Sequence, residues 1–139
     1  MAKIGTSSIT NGHGDVDVEA VAKFCGEVAG LHAAGHRVVV VTSGAIAAGL
    51  PAIGLGGDRR PTDGVTLQAV SAIGQSRLMR TYDDAFAAHG LVVGQVLLAP
   101  LDFGVRQQYL HARGTLERLL DLGVIPVVNE NDAIADDEI

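Results

Sequence analysis

The sequence predicts an α/β fold, a three-layer αβα sandwich built on a mainly parallel sheet. Two observations predict it. Short apolar segments alternate along the chain with long segments in which apolar residues recur every three or four positions, in the order strand, helix, strand, helix, strand, helix, strand. Residues 38–41 are four consecutive valines, which is typical of a strand buried on both faces of a parallel sheet. Repeated βαβ units of this kind place helices on both faces of the sheet through right-handed crossovers.

The predicted strands are short and end in turn-forming or polar residues. Residues 1–4 form the tail of the first strand, and residues 37–42, 91–98 and 124–128 form the next three. Pro126 lacks a backbone N–H, so we expect an irregular or edge-like position in the last strand.

Three long amphipathic helices and one short one are predicted, at residues 15–34, 43–49, 66–89 and 106–122. In the first, Val21, Cys25 and Val28 lie on one apolar face. Asp15 or Asp17 can cap its N-terminus, and Gly35 ends it. Residues 6–14 and 51–64 are predicted as loops, and an acidic run at 136–138 as a solvated face.

Composition limits the class of protein. A chain of 139 residues with 47% hydrophobic residues is one domain, or one lobe of a larger one. A net charge of −6 disfavours nucleic acids and anionic membranes as partners. The single cysteine, Cys25, excludes an internal disulfide and a multi-cysteine zinc site. With no signal peptide and no apolar run near the ~20 residues of a membrane span, we expect a cytoplasmic protein.

Polar or small residues follow two of the apolar strands directly. Thr42, Ser43 and Gly44 come after the valine run, and Asn129 and Asp132 come after the last strand. Ligands of open parallel α/β sheets bind outside the carboxyl ends of the strands, so this pattern predicts a small-molecule site at one rim. Taken singly, Ser43 could instead be a helix N-cap, and residues 129–132 an ordinary turn.

A third segment, Lys3-Ile4-Gly5-Thr6-Ser7, could hold a phosphate, because an ammonium and a glycine-flanked backbone suit an anion. The alternative is a surface lysine before an ordinary turn. The sequence contains no Walker A loop, no G-x-G-x-x-G and no G-x-S-x-G. The five histidines are expected at the surface or at helix ends, and Gly74 at a close helix contact.

The combination of segments resembles the glutamate 5-kinases of the amino acid kinase family. The matching motifs are KIGTS at 3–7, LHAAGHR at 31–37, VTSGAIAAG at 41–49, GQSRL at 74–78, GQVLL at 94–98, ARGTL at 112–116 and PVVNEND at 126–132. The resemblance covers essentially the whole chain and implies the amino acid kinase (carbamate kinase-like) fold. It also implies transfer of the ATP γ-phosphoryl group to the side-chain carboxylate of L-glutamate, the first step of proline biosynthesis.

The resemblance also implies roles for individual residues. Lys3 is the catalytic residue and contacts ATP phosphate, with Gly5 beside it in the ATP site. The implied glutamate-binding residues are Ser43, Gly44, Ala45, Asn129 and Asp132. No protein ligand to a metal is implied; Mg²⁺ bridges the phosphates of ATP. The implied partners are L-glutamate, L-proline as feedback inhibitor and further copies of the chain.

Residues 1–139 correspond to the N-terminal, amino-acid-substrate lobe of that family, ending before its Gly-Asp-Asn-Asp segment. The nucleotide-binding half and the C-terminal accessory domain of the family lie beyond this sequence. We therefore expect the 139-residue chain alone to phosphorylate glutamate poorly or not at all. Two alternatives stay open at this point: a non-catalytic glutamate- or proline-binding module, and a sister kinase with a different acceptor.

Overall fold

In the computed structural model, which describes residues 1–134, the strands form one parallel sheet. The strands are β1 (Ala2–Lys3), β2 (Val40–Val41), β3 (Val93–Leu98) and β4 (Ile125–Glu130). Their order in the sheet is β1-β2-β4-β3, so β4 is inserted between β2 and β3. All three strand pairs are parallel, with Val40 opposite Val127 and Val93 opposite Ile125.

The helices of the described chain are α1 (Thr6–Ile9), α2 (Val18–Ala33), α3 (Ala45–Gly49), α4 (Gly64–Ala87), α5 (Pro100–Gly104) and α6 (Arg106–Asp121). Short 3₁₀ turns at Leu50–Ile53 and Gly57–Arg59 interrupt the loop predicted at residues 51–64. Within the described residues, no helix combines the length and apolar character needed to cross a membrane.

The predicted three layers are present. Helices α2 and α4 pack against each other, whereas α6 packs on β4. The connections from β1 to β2 and from β2 to β3 run in one direction across the sheet, whereas the connection from β3 to β4 runs in the opposite direction. Because crossovers are right-handed, this reversal puts α6 on the other face of the sheet from α2 and α4. The fold class expected from the sequence, α/β with a mainly parallel sheet, is therefore confirmed.

The main core lies between the sheet and the pair α2 and α4. Its fully buried members include Val21, Cys25, Tyr82, Phe86 and Val127, each 0% exposed. The apolar spacing that identified α2 extends beyond this core at both ends. Two further apolar positions of that helix, Val18 and Leu31, are 63% and 47% exposed.

Local signals fix the ends of the long helices. Asp17, rather than Asp15, caps α2, because its carboxylate accepts the backbone N–H of Ala20 at 3.0 Å. Gly35 ends that helix with φ +92°, a value that favours glycine. Asp63 caps α4 in the same manner, so α4 begins two residues before the predicted start at residue 66.

The edge position considered for Pro126 was wrong, and so was the length expected for the second strand. Pro126 does not mark an edge: it lies in central β4 and its side chain is fully buried. The second strand is also shorter than residues 37–42. Val128 accepts the N–H of Thr42 at 2.9 Å, so its carbonyl faces β2. Pro126 lies two residues earlier in β4, so its backbone nitrogen also faces β2. Because this nitrogen carries no hydrogen, it cannot donate to β2, and the hydrogen bonding between the two strands does not extend to residues before Val40.

Gly74 and Gly49 let α3 and α4 approach at backbone contact. A Cβ at Gly74 would lie 2.5 Å from the Gly49 nitrogen and would overlap the Ala45 carbonyl. A Cβ at Gly49 would overlap the carbonyl of Val70. The close packing expected at Gly74 is confirmed. The acidic run expected at 136–138 lies outside the described residues.

Candidate functional site

The carboxyl ends of β2, β4 and β3 meet at one rim of the sheet, and a cavity of about 470 Å³ opens there. Ser43 lines it from the segment after β2. Asn129 and Asp132 line it from the end of β4 and the residues that follow. The structure thus brings together Ser43 from one strand end and Asn129 and Asp132 from another, as the rule for parallel sheets requires.

Hydrogen bonds fix both the side chain and the backbone of Ser43. Its hydroxyl lies 2.9 Å from the hydroxyl of Thr6, at the start of α1. It is not an N-cap: Gly44 occupies that position of α3, with φ +101° and no side-chain cap hydrogen bond. The left-handed conformation of Gly44 turns the chain sharply after Ser43, whose side chain lines the cavity. Gly44 and Ala45 are not part of the lining, and Ala45 is buried.

A buried pair of hydroxyls supports the backbone at Ser43. The hydroxyls of Tyr82 and Thr42 lie 2.6 Å apart, and Thr42 also donates to the carbonyl of Ser43 at 3.2 Å. With Thr42 donating to Ser43, Tyr82 is the donor to Thr42. Burial raises the pKa of Tyr82 to about 12, against the opposing effect of its hydrogen bond with Thr42. Tyr82 therefore stays a neutral donor throughout the physiological pH range.

Asn129 is fixed by two hydrogen bonds. Its amide nitrogen donates to Oε1 of Gln75 on α4 at 2.8 Å, and its carbonyl oxygen accepts the N–H of Glu130 at 2.9 Å. Asn129 is 4% exposed and Gln75 is 9% exposed. A hydrogen bond between two buried amides locks both side chains, because breaking it would leave polar atoms without water.

A second cavity, of about 320 Å³, lies beside α4 and the ends of β3 and β4. Glu130 and Asp132 line both cavities, whereas Gln75 lines only the second and Asn129 only the first. The Asn129–Gln75 hydrogen bond thus connects the two. In the described structure, the amide nitrogen of Gln75 is buried and has no hydrogen-bond partner.

Helix α5 forms a wall of the first cavity and was not predicted from the sequence. Pro100 and Phe103 contribute to the lining. The N–H of Ala99 donates to the carboxylate of Asp102 at 2.7 Å, so an acidic side chain three residues on reaches back to the residue before the helix. Proline at the first helical position and an acid at the third are a helix-start signal that could have been recognised.

Lys3 and Gly5 lie at the same rim, outside the cavity lining. Lys3 is exposed at the end of β1, opposite Val41 of β2. Strands are spaced by about 4.8 Å, so β1 is roughly 10 Å from β4. Gly5 precedes α1 and adopts an ordinary extended conformation with φ −88°. The predicted phosphate-binding residues therefore flank the cavity and do not share its lining with Ser43 and Asp132.

In the described part of the chain, the remaining titratable residues form no further candidate catalytic or metal site. Cys25 is fully buried, as expected, and burial raises the pKa of its thiol to about 12. Four of the five histidines are exposed, and His32 is half-buried near the end of α2. Across residues 1–134, no group of three or more histidine, cysteine or acidic side chains is placed to hold a metal ion.

Sequence comparison agrees with the geometry of the fold. The profile of the amino acid kinase family matches residues 2–139. A glutamate 5-kinase of Dehalococcoides mccartyi is 49% identical to this chain, and one of Pelobacter propionicus is 46% identical. Both alignments cover 100% of this chain and 37% of the relative. The chain therefore spans somewhat more than a third of the length of these curated relatives.

A solved structure has the same fold. The isopentenyl phosphate kinase product complex of T. acidophilum superposes with a TM-score of 0.60, covering 91% of this chain and 53% of that one, at 21% identity. An identity this low supports a shared fold and carries no information on substrate. With a family profile that spans nearly every residue and relatives near half identity, the chain belongs to the amino acid kinase family.

Proposed function

We propose that this chain is the substrate-binding part of a glutamate 5-kinase, an enzyme that uses ATP to phosphorylate the side-chain carboxylate of L-glutamate. The observation that carries the proposal is the cavity at the strand ends, which Ser43, Asn129 and Asp132 line together. Support comes from the relatives named glutamate 5-kinase, at 43–49% identity across the whole chain.

Each polar group around the cavity suits one end of glutamate. The carboxylate of Asp132 would pair with the α-ammonium group, which is the cationic group of this substrate. The Ser43 hydroxyl, together with the backbone N–H groups of Gly44 and Ala45, would donate to a carboxylate. The Asn129 amide, already fixed by Gln75, would form part of the wall against which the substrate is oriented.

The chemistry requires positioning and charge neutralisation and no general base. An oxygen of the glutamate side-chain carboxylate attacks the γ-phosphorus and forms a new P–O bond. The bond from that phosphorus to the β,γ-bridging oxygen breaks, and ADP leaves with the electron pair. Two anionic reactants must be brought together, so a cation near the transferring group lowers the barrier. Lys3 would supply that charge from the flanking strand, and Mg²⁺ would enter bound to the ATP phosphates.

Glutamate binding by the chain itself, without nucleotide, tests the proposal. Titration calorimetry or amide NMR should show binding of L-glutamate and little binding of N-acetylglutamate, which lacks the ammonium group. Asp132→Asn should weaken glutamate binding at least tenfold, because it removes the partner of a charged group. Ser8→Ala and Asp83→Asn, at exposed positions, are the matched controls for Ser43→Ala and Asp132→Asn.

Two results would contradict the proposal. One is equal affinity for glutamate and N-acetylglutamate, which would point to a sister kinase with a different acceptor. The other is glutamate binding that Asp132→Asn and Ser43→Ala leave unchanged, which would place the substrate elsewhere.

A further inference from the structure

Gln75 occupies a position of α4 that would suit an apolar side chain. The buried residues of α4 recur every three or four positions, and Gln75 belongs to this buried face, between Val70 and Leu78. A buried carboxamide costs free energy unless it is hydrogen-bonded, so a glutamine contributes less to packing here than an apolar residue of the same size. Its presence therefore calls for a role other than packing.

The hydrogen bonds of Asn129 determine which atom Gln75 must offer to it. The backbone N–H of Glu130 donates to the side-chain oxygen of Asn129 at 2.9 Å. With its oxygen facing this donor, Asn129 turns its amide nitrogen toward α4, because the reversed orientation would set two donors against each other. The carbonyl oxygen of Gln75 accepts from that nitrogen at 2.8 Å. Gln75 therefore acts on Asn129 as a hydrogen-bond acceptor.

Helix α4 connects the two strand ends that line the proposed glutamate cavity. At Gly74 it contacts the backbone of α3, the helix that follows Ser43. The next residue, Gln75, holds Asn129 at the end of β4. Ser43 and Asn129 both line the cavity, whereas Gln75 lies outside its lining. Two adjacent residues of one helix thus fix the cavity wall on both sides without reaching into it.

We propose that Gln75 is a positioning residue for the substrate, which acts through Asn129 and does not touch glutamate. The amide nitrogen of Asn129 carries two hydrogens. The bond to Gln75 takes one of them, and the other donates to an oxygen of glutamate. Without the acceptor at position 75, the buried amide of Asn129 would turn to find another partner and lose this orientation. The role rests on the proposed function, because it concerns the same cavity.

Replacing Gln75 by methionine keeps the size of the side chain and removes the acceptor. Calorimetric titration of L-glutamate into the 139-residue chain should give a Kd about five- to tenfold higher for Gln75→Met than for the wild type, the effect of one net hydrogen bond. Gln108→Met, the same substitution at an exposed position of α6, should leave the Kd unchanged. Val28→Ala, in the core and away from the cavity, should lower stability without changing the Kd.

A double-mutant cycle separates positioning from a general structural role. In the Asn129→Ala background the side chain on which Gln75 acts is missing, so Gln75→Met should change the Kd for glutamate by less than about twofold. If Gln75 only supported the fold, its loss should weaken binding by the same factor in both backgrounds.

The wild-type chain alone provides a second measurement. Once the two amide hydrogens of the Asn129 side chain are assigned by through-bond NMR, one signal should shift strongly on titration with glutamate. The signal of the hydrogen bonded to Gln75 should move little. This measurement remains decisive if a variant does not fold.

Three results would overturn the role of Gln75 while glutamate still binds. They are an unchanged Kd in Gln75→Met, an equal loss of affinity in both backgrounds of the cycle, and Asn129 amide signals that stay unshifted at saturation. A wild-type chain that does not bind glutamate would overturn the proposed function itself, and the role of Gln75 with it.

Discussion

Replacing Gly74 by alanine tests the close crossing of α3 and α4, on which the position of Ser43 depends. An added Cβ would lie 2.5 Å from the nitrogen of Gly49 and 2.8 Å from the carbonyl carbon of Ala45. Carbon atoms ordinarily pack at about 3.5–4.0 Å, and the Cβ would also overlap the Ala45 carbonyl oxygen, so α3 would have to move by more than about 1 Å. The obstructing atoms belong to the backbone and cannot rotate away.

Two opposing effects set the size of the change in stability. Overpacking a buried contact costs about 1–3 kcal/mol, and a backbone obstruction belongs at the upper end of that range. Alanine in place of glycine in a helix interior stabilises the helix by about 1 kcal/mol. The free energy of unfolding should therefore fall by about 2 kcal/mol, which for a domain of this size lowers the melting temperature by roughly 6 °C.

Gly114→Ala is the matched control, because Gly114 also lies inside a helix, α6, and no atom lies within 4 Å of where its Cβ would be. It should stabilise the chain by about 1 kcal/mol. Urea unfolding followed by circular dichroism measures both variants on one scale. If Gly74→Ala stabilises the chain as Gly114→Ala does, the close crossing of the two helices is wrong. If the proposed glutamate site is correct, displacement of α3 should also weaken glutamate binding in Gly74→Ala and not in Gly114→Ala.

Two further predictions concern buried groups near the core. Tyr82→Phe removes one hydroxyl of a pair 2.6 Å apart, so the free energy of unfolding should fall by about 1–2 kcal/mol in urea titrations; the exposed Tyr109→Phe should change it by less than about 0.5 kcal/mol. The raised pKa of Cys25, about 12 against an ordinary value of 9.0, makes the chain less stable in alkali. The thiol binds its proton more tightly when folded, so its contribution is complete below pH 9 and is lost as the pH rises from 9 to 12. The expected slope is about 1.4 kcal/mol per pH unit from this group. Cys25→Ala should remove this contribution to the slope of the free energy of unfolding against pH. An unchanged slope in that variant would contradict the prediction.

The helices were largely predictable because their signals are local. Apolar spacing located α2, α4 and α6, and single residues such as Asp17 and Gly35 fixed their ends. The predicted start of α4 was too late because the capping carboxylate of Asp63 lies in a segment whose glycines and prolines are typical of a loop. Helix α5 was missed because five residues are too few for periodicity to show.

The candidate site was only partly predictable. Ser43 and Asp132 follow strands, and a general rule for parallel sheets puts them at one rim. The contacts that fix the site join residues far apart in the chain, such as Thr6 with Ser43 and Asn129 with Gln75. They depend on how α1 and α4 pack against the sheet, and a sequence pattern carries no information on such pairings.

The order of the strands decides which residues meet, and hydrophobic burial decides that order. Pro126 argued for an edge position, since a missing N–H forgoes one hydrogen bond worth about 1 kcal/mol. Ile125 and Val127, each 0% exposed, argue for the centre, because each gains about 1.5–3 kcal/mol from burial. Burial outweighs the lost hydrogen bond, so β4 is central, while β3, with Gln95 exposed at its middle, takes the edge. Had β3 been central, it would have separated Asp132 from Ser43, and the cavity that both residues line could not form.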